Sequence, residues 1–82
     1  MKKQEILEYL LENDKEFYYD MKRNKVYITT GLYDDIIIII KNELCIRDMV
    51  KTLCYCYNII NPRLAYKLIM GVRLGYKELE VL

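Results

Sequence analysis

The stretch Asp34-Asp35-Ile36-Ile37-Ile38-Ile39-Ile40-Lys41 sets five isoleucines in a row inside a chain of 82 residues. How this run is read decides the fold. β-Branched residues prefer the pleated conformation, so residues 36–40 are predicted to form a strand. A strand that is apolar on both faces is normally covered on both sides. The question is what covers it.

Upstream, Gly31 through Asp35 reads as a turn. Before it, EFYYDMKRNKVYITT (16–30) reads as a hairpin turning at Arg23-Asn24. That register pairs Met21 with Val26, Tyr19 with Ile28 and Phe17 with Thr30 on one face. Tyr18, Asp20 and Lys22 fall on the other face, beside Lys25, Tyr27 and Thr29. Matching alternation on both strands is what specifies a register. Asn24 tolerates the positive φ of such a turn.

Downstream, Asn42 is a suitable N-cap and predicts a helix over 43–58. Its buried side would carry Ile46, Met49, Val50, Leu53 and Tyr57, with Arg47, Lys51, Tyr55 and Asn58 pointing away. Asn61-Pro62 is the sharpest start signal in the chain, a cap followed by proline at the first helical position. It opens a helix predicted over 62–79, with Leu64, Ala65, Leu68, Ile69, Val72, Tyr76 and Leu79 as its apolar face. Arg63, Tyr66, Lys67, Met70, Arg73 and Lys77 fall opposite, within an arc of about 120°. Gly71 and Gly75 imply either close packing by another element or a break near Gly71. A short amphipathic helix over 3–13 precedes the hairpin.

The predicted fold is therefore α+β, a single small domain over 1–82. Its order is α-β-β-β-α-α, with a three-stranded antiparallel sheet packed against helices. Either Ile36, Ile38 and Ile40 or Ile37 and Ile39 join the Phe17/Tyr19/Met21 face, beneath the last two helices. The others emerge beside Tyr18 and Tyr27. The first helix covers that second face, or a second copy or a foreign partner does.

The hydrophobic fraction is 54% and the net charge +1, which excludes a disordered chain. Charge is uneven: residues 1–40 carry eight acids and six bases, residues 41–82 four acids and seven bases. A polyanion would prefer the second half. The opening MKKQEILEYLLEND begins like a signal peptide, but Glu5, Glu8 and Glu12 interrupt it. No apolar run approaches the ~20 residues of a membrane span. The expectation is a soluble, cytoplasmic protein with no membrane partner. The abundance of Ile, Lys, Tyr and Asn suggests an AT-rich genome. Cys45, Cys54 and Cys56 are odd in number and expected as reduced thiols: on one helix, Cys54 and Cys56 would point roughly 160° apart.

Histidine, serine and tryptophan are absent, which removes the common nucleophile–base pairs. Asp34-Asp35 could hold a magnesium ion, but reads more simply as a polar turn before an apolar strand. Asp20-Met21-Lys22 has a nuclease-like Asp-x-Lys spacing but lacks a well-placed upstream acid. No enzyme, cofactor, metal or small-molecule substrate is expected.

Two functions remain. The first is a non-catalytic protein-interaction module, binding a protein partner or itself as a homodimer. It would use the tyrosine face (Tyr18, Tyr27), the basic helix (Arg63, Tyr66, Lys67, Met70, Arg73, Lys77), or both. Tyrosine suits interfaces because it joins an apolar body to a polar tip. Small phage or viral inhibitors of host defence, anti-CRISPR proteins among them, have this size and build. The alternative is a nucleic-acid-binding regulator using the last helix. There the preceding helix, the break YNIIN and the Pro62 start loosely resemble a helix-turn-helix. The turn is longer than in that motif and lacks its small or glycine positions.

Overall fold

A computed structural model describes residues 2–82. The elements are α1 (Lys3–Glu12), β1 (Phe17–Asp20), β2 (Lys25–Ile28), α2 (Thr30–Asn42), α3 (Ile46–Tyr57), α4 (Pro62–Leu74) and β3 (Leu79–Val81). The α+β class stands. The order is α-β-β-α-α-α-β, and the sheet is mixed rather than antiparallel: β1 pairs antiparallel with β2, and β2 pairs parallel with β3.

The isoleucine run is not a strand but the second half of α2. Thr29 starts this helix, its hydroxyl accepting from the Leu32 N–H at 3.2 Å and donating to the Glu16 carboxylate. Leu32, Ile36 and Ile39 are buried on one side, with Tyr33 and Ile40 packed beside them. Asp34, Asp35, Ile38, Lys41 and Asn42 face solvent. The intrinsic cost of isoleucine in a helix is at most about 0.7 kcal/mol per residue. Burying one isoleucine contributes about 1.5–3 kcal/mol. Tertiary burial therefore outweighs β propensity here.

Because α2 runs through Asn42, that residue caps nothing downstream; its amide donates back to the Ile38 carbonyl at 2.8 Å. The next helix starts later, at Ile46. The hairpin loop is also longer than Arg23-Asn24 alone. Phe17 pairs with Ile28, Tyr18 with Tyr27 and Tyr19 with Val26, a shift of two residues from the predicted register. A shift of two preserves the faces, since side chains alternate with period two.

The strand position assigned to the isoleucines is filled by the C-terminal segment. The predicted 62–79 helix stops at Leu74, because Gly75 adopts the left-handed conformation at φ 68° and caps it. Leu79–Val81 then lies beside β2. Val26 donates to the Glu78 carbonyl at 2.7 Å, and Leu82 donates to the Ile28 carbonyl at 2.8 Å. β2 becomes the central strand, and Val26, Tyr27 and Ile28 are all buried.

Two apolar clusters lie on opposite sides of the sheet. Val26 and Ile28 face the larger one, built from α2, α3 and α4 with Leu53, Leu68 and Ile69 at its centre. Tyr27 faces the smaller one, closed by Ile6 and Leu10 of α1. The first helix thus covers the second sheet face, making three layers. Among the described residues no helix is long and apolar enough to cross a membrane, and all three cysteines are free thiols.

Candidate functional site

α3 and α4 are joined by the four-residue turn Asn58–Asn61. Asn58 ends α3 in the left-handed conformation (φ 54°, ψ 41°), which asparagine tolerates better than most residues. Ile59 follows and is buried. Its N–H donates to the Cys54 carbonyl at 3.0 Å. The Asn61 side chain then accepts from the Arg63 N–H at 3.0 Å, and Pro62 opens α4.

A groove between the two helices is lined by Ile46, Arg47, Val50 and Lys51 of α3 with Pro62, Arg63 and Tyr66 of α4. The first turns of both helices therefore meet. An antiparallel hairpin would hold Pro62 beside Tyr57 instead, about 16 Å of helix away from Ile46. The two helices are therefore not a simple antiparallel hairpin. Asn58 occupies the left-handed turn position commonly held by glycine.

Arg47 and Lys51 are one helical turn apart, as are Arg63 and Lys67, so each pair shares an edge of its helix. All four are exposed. Among the described residues, ion pairs join Lys3 and Lys25 to Glu80 and Arg23 to Asp20. All of these lie on the sheet side. Among the described residues no ion pair engages Arg47, Lys51, Arg63, Lys67, Arg73 or Lys77.

A second concavity, of about 320 Å³, opens between the hairpin and α4. Tyr19 and Asn24 line it from the hairpin, Tyr66, Lys67 and Met70 from α4, and Tyr76 from the turn beyond. Glu78 and Leu79, at the start of β3, also line it. The Tyr19 hydroxyl donates to Asn24 Oδ1 at 3.0 Å. The Lys67 ammonium sits 5.7 Å from the Tyr19 ring centroid, within cation–π range.

The structure thus gathers Arg63, Tyr66, Lys67 and Met70 of the predicted residues into one region. Arg73 is exposed in the last turn of α4, where a cation suits the helix dipole. Lys77 lies past the Gly75 stop. Tyr27 is 4% exposed beneath α1. Its strand partner Tyr18 is half-buried, edge-on to Tyr9 at 5.8 Å. Tyr27 belongs to an internal layer, and Tyr18 lies at its rim. Sequence reasoning missed Tyr19, Asn24 and Tyr76 as cleft residues, since only the tertiary fold brings the hairpin to α4. Arg47 and Lys51 were legible as outward-facing at helical spacing.

The acidic candidates have structural duties. Asp35 accepts a hydrogen bond from the Tyr57 hydroxyl, joining α2 to α3. Burial first, and then this bond to Asp35, push the Tyr57 phenol well above its ordinary range. Asp20 Oδ1 accepts from the Arg23 N–H at 3.2 Å in the hairpin loop. Among the described residues no group of three or more His, Cys, Asp or Glu side chains is placed to hold a metal ion.

The architecture defines the class as a small α+β domain in which helices pack on both faces of a mixed sheet. Compared with known proteins, the chain matches no family model, and no curated protein or solved structure matches it.

Proposed function

We propose that the chain is a non-catalytic binding module that engages nucleic acid through the face formed by α3 and α4. The observation that carries this reading is the set Arg47, Lys51, Arg63 and Lys67. Arg47, Lys51 and Arg63 line the groove between the two helices and Lys67 the adjoining cleft, with the exposed Tyr66 lining both, and among the described residues no ion pair engages any of the four. Cations left unneutralised by the protein are free to displace counterions from phosphates. The near-neutral total charge conceals a local excess. Eight of the twelve acids precede residue 41, outside both helices.

The test is a fluorescence-polarisation titration of duplex and single-stranded DNA at low and physiological salt. Binding that weakens steeply with salt, and is lost in Arg63→Glu/Lys67→Glu, is the expected result. Absence of binding by the folded protein at low salt overturns the reading.

A protein partner is the second reading. The observation favouring it is the cleft of Tyr19, Tyr66, Met70 and Tyr76, residue types enriched at protein interfaces. In that case the chain acts as an inhibitor of a host protein, of the kind that phages direct at defence systems. Arg63→Glu/Lys67→Glu would then leave partner capture less affected than Tyr66→Ala/Tyr76→Ala.

A further inference from the structure

We infer that the cleft between the hairpin and α4 captures one unpaired base of a nucleic-acid strand, so that the protein prefers single strands to duplexes. The inference rests on the nucleic-acid reading of the α3–α4 face and adds what that face selects.

Three features of the cleft carry it. The first is size. About 320 Å³ sits at the lower end of the ~300–1,000 Å³ typical of small-ligand sites. It has room for one base, and a duplex keeps its bases stacked and paired, out of reach of such a cleft.

The second is the chemistry of the walls. Tyr66 and Tyr76 are about half exposed, at 47% and 49%, and so present ring surface to an incoming planar group. Stacking on aromatic side chains is the common way that proteins hold single-stranded bases. The Tyr19 hydroxyl is already committed to Asn24 Oδ1. That bond orients the Asn24 carboxamide so that its NH2 can donate to a base carbonyl. Glu78, which also lines the cleft, offers acceptors to a base N–H. The two together read the edge of a base, which carries both donors and acceptors.

The third is continuity with the cations. Lys67 lines the cleft itself, and Arg63 lies one turn away on α4 in the adjoining groove. Tyr66 lines both concavities. A strand whose base enters the cleft would carry its flanking phosphates along Lys67 and Arg63 toward Lys51 and Arg47. Glu78 would repel a phosphate placed deep in the cleft, which fixes the polarity: base inside, phosphates on α4.

The test uses three labelled probes of equal length: a thymidine homopolymer, the same strand carrying abasic sites, and a duplex. The homopolymer should bind about five-fold or more tightly than the abasic strand, the lower end of one base–aromatic stack. Tyr66→Ala and Tyr76→Ala should narrow that gap by weakening the homopolymer more than the abasic strand. Tyr66→Phe and Tyr76→Phe should restore it, and thermal melting should show all four variants folded. Equal binding of thymidine and abasic strands overturns base capture while leaving the phosphate-binding face intact. Duplex bound as tightly as single strand overturns it likewise. Saturable binding of free thymidine monophosphate that ignores Arg63→Glu overturns the strand in favour of a soluble nucleotide. Failure of every probe at low salt removes the underlying reading as well.

Discussion

Gly71 of α4 lies directly against Leu79 of β3: a Cβ built on the glycine would stand 3.2 Å from Leu79 Cδ2 and 3.3 Å from its Cβ. This contact lets the chain turn back after α4 and deliver its last residues to the sheet. Without a side chain at 71, strand and helix approach within van der Waals distance.

Gly71→Ala is therefore expected to destabilise the fold. Alanine gains about 1 kcal/mol of helix propensity over glycine. Overpacking costs about 1–3 kcal/mol, and the obstructing Leu79 Cβ cannot swing aside, since it is fixed to the strand backbone. Urea titration should show a lower midpoint. Leu79→Ala in the same chain should recover part of that loss, as a double-mutant cycle would measure.

The isoleucine run provides the sharpest test of α2. Ile36 is fully buried, whereas Ile38 is 55% exposed. Ile36→Ala should cost about 2–5 kcal/mol, and Ile38→Ala within about 0.5 kcal/mol. A strand would set Ile36, Ile38 and Ile40 on one face, and both substitutions would then behave alike.

Tyr57 predicts a dependence on alkaline pH. Its folded-state pKa is raised, through burial and the hydrogen bond to Asp35. The folded protein therefore holds this proton more tightly than the unfolded chain, whose tyrosines titrate near 10. The contribution is complete below about pH 10 and fades as pH rises above it. Between pH 9 and about 11.5, denaturant midpoints should fall more steeply for the native sequence than for Tyr57→Phe.

The cation set predicts a pattern in salt dependence. Arg47→Ala, Lys51→Ala and Arg63→Ala should each reduce the slope of log affinity against log salt by about 1. Lys3→Ala, whose ammonium is 3.4 Å from Glu80 on the sheet side, should leave it unchanged. Equal effects from all four would mean that binding follows net charge alone.

Asn61 accepts from the Arg63 N–H and precedes Pro62, the first residue of α4. Asn61→Ala should cost about 0.5–2 kcal/mol, typical of a lost N-cap, and would show as a lowered thermal midpoint.

Some of this protein was determined by sequence alone, wherever local chemistry or a period of more than one turn existed. Asn61-Pro62 marks a helix start under any packing. The spacing of Arg63, Tyr66, Lys67 and Met70 sets them outward on α4. The alternation of Phe17, Tyr18 and Tyr19 sorts the hairpin into faces, and it survived a register slip of two because pleating has that same period. Other features belonged to the tertiary structure. Five identical isoleucines carry no period of their own, so strand and helix are indistinguishable within the run. The phase comes from Leu32 before it and from the core that α3 and α4 provide. Leu79–Val81 carries little strand signal, and becomes one because β2 offers an unpaired edge and Gly75 turns the chain toward it. The cleft depends on the same return, since Tyr19, Tyr66 and Tyr76 are far apart in the chain and only packing across the sheet brings them together.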